Sequence, residues 1–285
     1  MNKTAIMTDT NSGIKPDIAE KYGIYLLKMP FIIDGDEHLE YSDIPYEVFF
    51  EKLEAGADVS TSQPSPGSLI EMWEDILKTH DSVLYFPMSS GLSGTCETAK
   101  ALAADYDGRV FVIDNKRISV TLYESVFDAL ELAKTGMPAA ELAEKMEKDG
   151  SRQSIYVSVN TLEHLKKSGR VTAAGAAIGT LLGIKPVLQI QGGKLDAYKK
   201  VRGMKSAMDA MLDGIENDFN TRFKGENVHI RAAYSGDRAA GEEWRNAVSE
   251  RFPDMEIGLD ALPISISCHV GGGALGIGIT VTERR

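Results

Sequence analysis

The sequence predicts an α/β protein of two domains, the first a mainly parallel sheet with flanking helices and the second an α+β domain with a mixed sheet. Three observations carry this expectation. Strand-like and helix-like patterns alternate through the first half, which implies crossover connections and parallel pairing. A helical run rich in Ala, Glu and Lys ends at Lys148-Asp149-Gly150-Ser151, a boundary that divides the chain into 1–150 and 151–285. Beyond it, Gly192-Gly193 stands between two strand-like runs, and such a turn makes them an antiparallel hairpin.

Taken in order, Ala5–Thr8 reads as a strand, Pro16–Tyr22 as a helix, Tyr25–Phe31 as a strand and Tyr46–Glu54 as a helix. A hydroxyl-rich loop, Ser60 to Ser68, precedes a helical pattern from Leu69 to Thr79. The apolar run Val83-Leu84-Tyr85-Phe86 then enters Ser89-Ser90-Gly91-Leu92-Ser93-Gly94-Thr95, and a helix follows from Glu97 to Ala104. Arg109 to Asp114 is a buried strand ending in aspartate, and Ser119 to Ala133 is a long helix. In the second half, Ser154–Val159 is a strand, Thr161–Ser168 a helix, and Thr172–Leu182 a small apolar run. Lys185–Gln191 and Lys194–Tyr198 flank the glycine turn. Lys205–Arg222 and Ala239–Phe252 are helical, while Asn227–Tyr234 and Glu256–Leu259 are strands. The glycine-rich turn after His269 enters the last strand.

The chemistry concentrates in the two hydroxyl-rich loops. Around Ser89, Ser90, Ser93 and Thr95, glycines permit a tight turn and the helix that follows begins with free amides, so the stretch offers donors to an oxyanion. The same residues also suffice as helix caps and loop formers. At the carboxyl edge of a parallel sheet the 60–68 loop would face the same crevice and supply donors to the same head group. Asp9 and Asp114 end strands at that edge, where aspartates commonly cap the next turn.

Composition narrows the partners. The chain has 285 residues, 43% hydrophobic and 26% charged, which is ordinary for globular domains. A net charge of −11 argues against nucleic acid, whose phosphates require clustered Lys and Arg. Cys96 and Cys268 are the only cysteines and have neither CxxC nor zinc-ligand spacing, so no disulfide, metal or cofactor is expected. With no secretory start and no apolar run of membrane-spanning length, a cytoplasmic protein without an integral membrane segment is the expectation.

Four motifs, in this order, resemble the DegV family of fatty-acid-binding proteins: Thr61-Ser62-Gln63-Pro64-Ser65, Ser89 to Thr95, Thr161 to Arg170, and His269-Val270-Gly271-Gly272-Gly273-Ala274-Leu275-Gly276. The resemblance runs from end to end and implies a long-chain fatty acid, such as palmitate, stearate or oleate, held between two α/β domains of a bacterial lipid-binding subunit. It implies that Thr61 and Ser93, with Ser62 and Gly94 beside them, bind the carboxylate, that His269 lies against the same head group, and that Arg170 stands near the mouth. It further implies that the protein presents the acyl carboxylate to a separate fatty acid kinase and performs no chemistry itself. Arg170, Arg202 and Lys205 would then serve as the docking residues for that kinase. Two departures stand out: Gly272 replaces the family's proline, which loses a fixed φ, and the bulkier segment Asn115 to Tyr123 follows Asp114 where the family is small.

One rival reading is a serine hydrolase using Ser93 and His269 with Asp9 or Asp114. Thr95 stands where the last glycine of a Gly-x-Ser-x-Gly elbow belongs, which counts against it. A nucleotide- or phosphosugar-binding protein is weaker still, because neither glycine-rich phosphate motif is present. The basic run Lys199 to Lys205 fits a strand-to-helix segment and reads most simply as a solvated charged turn.

Overall fold

The computed structural model describes residues 3–177 and 183–284. From the N-terminus, strand β1 (Thr4–Asp9) leads to helix α1 (Pro16–Tyr22), strands β2 (Tyr25–Leu27), β3 (Pro30–Ile33) and β4 (Asp36–Leu39), helix α2 (Tyr46–Glu54) and strand β5 (Val59–Thr61). Helix α3 (Pro66–Leu77), β6 (Ser82–Phe86), α4 (Thr95–Ala103), β7 (Val110–Val112), α5 (Ser119–Lys134) and α6 (Ala139–Lys148) complete this half. Strands β2-β1-β6-β7 form a four-stranded sheet in that order, parallel throughout, as the alternating patterns require.

The run expected as one strand, Tyr25–Phe31, is two. After Leu27 the chain leaves the parallel sheet, the Met29 amide donates to Thr10 Oγ1 at 3.0 Å, and Pro30 opens β3. A proline has no N–H for a ladder, so it suits the first position of a new strand better than the middle of an old one. With β4 and β5, β3 forms a separate three-stranded antiparallel sheet in the order β4-β3-β5. Thr61 therefore ends an antiparallel strand and does not lie at the carboxyl edge of the parallel sheet.

The second half runs β8 (Gln153–Ser158), α7 (Glu163–Ser168), α8 (Ala173–Ala176), β9 (Ile184–Ile190), β10 (Asp196–Arg202), α9 (Gly203–Asn220), β11 (Val228–Tyr234), α10 (Arg238–Arg251), β12 (Ile257–Ala261), α11 (Ile264–Val270) and β13 (Leu275–Val281). Its six-stranded sheet has the order β10-β9-β8-β13-β11-β12; only β11 and β12 pair in parallel, and β9 and β10 form the antiparallel hairpin read from the glycine turn. The small apolar run Thr172–Leu182 begins with α8, and its residues 178–182 lie outside the described residues. The basic run is not a turn: Lys199, Lys200 and Arg202 belong to β10, an edge strand that exposes them before α9 begins. Edge strands commonly carry such charges, which discourage pairing with another chain.

Two helices fix how the sheets meet. Helix α5 lies between β1 of the parallel sheet and β13, β11 and β8 of the mixed sheet, and its residues Ser119 to Leu122 and Glu124 to Ala129 are buried. Helix α11, not foreseen from sequence, crosses to the small sheet, where Ile264 and Cys268 join Phe31, Ile33, Phe49, Phe50 and Val59 in one apolar cluster.

Candidate functional site

A cavity of about 300 Å³ opens where the halves meet, walled by residues of β5, the 88–94 loop, α7, α11 and Leu195. Thr61, Ser62, Gln63, Ser93, Gly94, Arg170 and His269 supply polar groups at one end, and Asn11 and Ser265 also lie in the wall. Met29, Met88, Leu92, Ile118, Leu165, Leu195, Ile266 and Val270 make the rest of the wall chiefly apolar. The six residues expected at a head group, Thr61, Ser62, Ser93, Gly94, Arg170 and His269, thus share one cavity.

Thr61 Oγ1 and His269 Nε2 are 2.9 Å apart, one from the last residue of β5 and one from the last turn of α11. Burial, reinforced by the charges of Arg170 and His164, pulls the imidazole down to about 4, so the ring is neutral at pH 7. Nδ1 is buried and has no hydrogen-bond partner among the described residues. A neutral imidazole carries one N–H, and either tautomer leaves the pair one uncommitted donor. When Nε2 carries the proton it donates to Thr61 and the threonine O–H is free; otherwise threonine donates to Nε2 and Nδ1–H is free.

The 89–95 stretch contributes less than its hydroxyl count suggests. Ser89 Oγ donates to Gly193 O at 3.0 Å and accepts from Gly91 N at 3.1 Å, which ties the loop to the β9–β10 hairpin. Gly91 is required there, since a Cβ would stand 2.4 Å from Gly193 O. Ser90 Oγ accepts from Lys116 Nζ, and Thr95 is buried with its Oγ1 2.9 Å from Ser93 Oγ. Of the four hydroxyls only that of Ser93 belongs to the cavity wall. Gly94 admits the Gln63 side chain, whose Nε2 would lie 2.5 Å from a Cβ at that position. Gln63 Oε1 accepts from Thr98 Oγ1 at 3.0 Å, and Ser62 Oγ donates to Glu37 at 3.2 Å.

The aspartates cap turns. Asp9 accepts from the amides of Asn11 at 2.9 Å and Met88 at 3.1 Å, and burial raises its carboxyl to about 6. Asp114 accepts from Ser90 N at 3.2 Å and from Lys116 Nζ; burial opposes its ionisation, but these bonds prevail and its pKa is lowered. Neither bonds His269, and Ser93 Oγ pairs with Thr95 rather than with the imidazole. The serine–histidine–aspartate relay is therefore not assembled in this structure.

Arg170 is half-buried and donates to Ser168 O. Arg202 and Lys205 are exposed and away from the cavity wall. Leu195 bridges Val171 beside the cavity, and Arg202 lies about 20 Å further along the strand at the usual rise per residue. The structure does not bring these basic groups to one opening. Sequence reasoning missed Asn11 and Ser265 as wall residues; Asn11 stands two residues after the strand-ending Asp9, the one signal that marked it. Among the described residues, no group of three or more His, Cys, Asp or Glu side chains is placed to hold a metal, and no helix is long and apolar enough to cross a membrane.

Comparison with known proteins shows the family and the fold. A DegV domain-containing protein of Listeria innocua is 30% identical over 280 residues, covering 96% of this chain and 97% of that one. A relative from Deinococcus radiodurans is 29% identical over 279 residues, with 96% and 97% covered. Among solved structures, a DegV family protein from Thermus thermophilus, described for its fatty acid binding, superposes with a TM-score of 0.89 at 29% identity, covering 98% of this chain and 99% of that one. A fatty acid binding DegV family protein from Streptococcus agalactiae superposes with a TM-score of 0.88 at 27% identity over 99% and 100% of the two chains. The family model for DegV, a family described as uncharacterised, matches residues 3–282, and the chain belongs to the DegV family.

Proposed function

We propose that this protein binds a long-chain fatty acid in the cavity between its halves, 1–150 and 151–285, with the carboxylate held by Thr61, Ser93 and His269 and flanked by Ser62, Gly94 and Arg170. The observation that carries this is the joining of a polar group of donors, including the Thr61–His269 pair, to walls that are otherwise chiefly apolar. A carboxylate leaving water needs several hydrogen bonds, and these groups supply them without a metal. The chain supplies the driving force: at about 0.8 kcal/mol per buried CH₂, about fifteen methylenes contribute about 12 kcal/mol before ordering costs. The fatty-acid binding described for the Thermus thermophilus and Streptococcus agalactiae proteins supports the same reading.

The protein acts, in this proposal, as a cytoplasmic carrier subunit that exposes the carboxylate to a separate fatty acid kinase, which forms the acyl phosphate. Arg170 at the cavity and the exposed Arg202 and Lys205 on the β10–α9 edge would contact that kinase; on a chain of net charge −11 these cations suit an acidic partner surface. Mass spectrometry of an organic extract of purified protein tests the binding. About one long-chain fatty acid, such as palmitate, stearate or oleate, per chain is expected. Folded, empty protein that takes up neither added palmitate nor oleate would refute it.

A further inference from the structure

A second groove, of about 690 Å³, lies against one wall of the cavity and shares Gln63 with it. The stretch 28–30 also serves both: Met29 lines the cavity, while Lys28 and Pro30 on either side of it line the groove. Such alternation is that of an extended chain, whose successive side chains point to opposite faces. Three elements build the groove. Tyr25, Leu26 and Leu27 of β2 all line it, and because their side chains alternate, the groove runs along the edge of the strand. That edge is open, since β2 is the outermost strand of the parallel sheet and pairs only with β1. From β4, the outermost strand of the small sheet, come Glu37 and Leu39, and Leu39 is 42% exposed. Helix α3 supplies Ser68, Glu71, Met72, Asp75 and Ile76, the spacing of a single helical face. Charge is uneven: Glu37, Glu71 and Asp75 are exposed, and Lys28 is the one cation among the described lining residues. Lys28 Nζ donates to Ser42 Oγ at 3.0 Å, and Asp75 pairs with Lys78 at 2.6 Å; Glu37 and Glu71 have no cation partner among the described residues.

We propose that this groove docks an extended basic segment of the protein that takes the carboxylate. This rests on the carrier reading above and adds to it a contact on the other half of the chain from Arg202 and Lys205. An extended segment bonds the open backbone edge of β2, its apolar side chains cover Leu39 and Met72, and its lysines or arginines meet Glu37, Glu71 and Asp75. The same acidic side chains discourage pairing with a neutral or acidic strand. A second copy of this chain is the poorer occupant, because two chains of net charge −11 repel. Position favours the same partner: Gln63 belongs to both the groove and the polar end of the cavity, so a segment laid there sits beside the place where the carboxylate is read.

The test titrates palmitate-loaded, full-length protein with the host's fatty acid kinase by calorimetry, and in parallel measures palmitate binding by the delipidated protein. Glu71→Lys is compared with Glu74→Lys, the same charge change on the same helix, since Glu74 lines a different surface with Leu102 and Tyr106. Glu71→Lys and Leu39→Ser, each first shown to be folded, are expected to weaken kinase binding about tenfold, and Glu74→Lys to leave it within about twofold. Wild-type association should weaken as salt rises, and palmitate affinity should be unchanged in all three variants. Equal weakening by Glu71→Lys and Glu74→Lys would show that net charge alone matters and overturns the groove, as does kinase binding untouched by Glu71→Lys and Leu39→Ser. A dimer of wild type in sedimentation that Glu71→Lys abolishes and Glu74→Lys does not would assign the groove to a second copy and overturn the partner. Wild type that binds palmitate but not the kinase overturns the docking and leaves the fatty-acid reading standing; protein that takes up no palmitate overturns both.

Discussion

Replacing Thr61 by valine removes one hydroxyl and preserves shape, and two effects of different size follow. In the empty protein Thr61 Oγ1 and His269 Nε2 lose a 2.9 Å hydrogen bond between neutral groups, which costs about 1 kcal/mol of stability. In the complex the loss is larger if the threonine donates to a carboxylate, since a bond to a charged acceptor contributes about 1.5–3 kcal/mol, equivalent to about 10- to 150-fold in Kd. The neutral imidazole decides between the two, because the pair has one free donor to give. If Thr61 gives it, Thr61→Val weakens palmitate binding across that range and His269→Gln weakens it less; if Nδ1 gives it, the order reverses. Calorimetric titration of delipidated variants measures the affinities, urea unfolding measures the stabilities, and the double variant measures the coupling, expected at about 0.5–3 kcal/mol for groups in contact. Affinity within twofold of wild type in both single variants would place the head group elsewhere and refute the assignment.

Three further outcomes are expected. Gly91→Ala should destabilise by about 1–3 kcal/mol in urea unfolding, because its Cβ would stand 2.4 Å from the backbone oxygen of Gly193 and backbone yields poorly; an unchanged midpoint would show that the hairpin moves freely. Burial raises the Glu40 carboxyl to about 7, so the folded state holds its proton more tightly than the unfolded chain and loses about 3 kcal/mol of stability as pH rises from about 4.5 to 7. His269, held down to about 4, acts with the opposite sign and costs stability as pH falls below about 6.5. These two contributions largely offset one another in the wild type, so across about pH 4.5–7 the stability of the empty protein should rise more steeply with pH in Glu40→Gln and fall more steeply in His269→Gln than in the wild type; identical profiles for wild type and both variants would refute these environments. Arg202→Ala should leave palmitate affinity unchanged and reduce acyl phosphate formation with a host fatty acid kinase, and full activity would remove Arg202 from docking.

The parallel half was legible wherever local chemistry and tertiary context agreed. Helices Pro16–Tyr22 and Tyr46–Glu54 have the bounds read from sequence, each starting beside a proline and the first ending at Gly23. The small sheet was not legible, although Asp34-Gly35 is a hairpin turn between β3 and β4, because the run into Phe31 read as unbroken strand. Helix α11 was hidden for a different reason: Ile264-Ser265-Ile266-Ser267 alternates with the period of a half-buried strand, yet all four are buried, so the alternation does not report an exposed face. At the site, both hydroxyl-rich motifs reach the same cavity, but the sequence overstated the donors they bring to it. Ser89, Ser90 and Thr95 are used within the protein, and only the folded contacts with Gly193, Lys116 and Ser93 reveal it. The apolar wall drew residues from six separate stretches, a convergence no local pattern encodes.

Helix α11 has a consequence for how this protein can admit and release what it holds. Ile264 and Cys268 lie in the apolar cluster of the small N-terminal sheet, whereas Ile266 and Val270, from the same seven residues, lie in the cluster under the mixed sheet. The two halves are thus stitched by a peg whose opposite sides sit in different cores. Swinging the halves apart about a hinge would pull that peg from one core or the other, at a cost of about 1.5–3 kcal/mol for each large apolar side chain exposed. Exchange without unfolding must instead use the margin of the cavity, where Gln63 and Gly94 are exposed and the polar end meets solvent. Under the proposed fatty-acid reading, such a build would keep the acyl tail enclosed and leave the carboxylate as the part most easily reached.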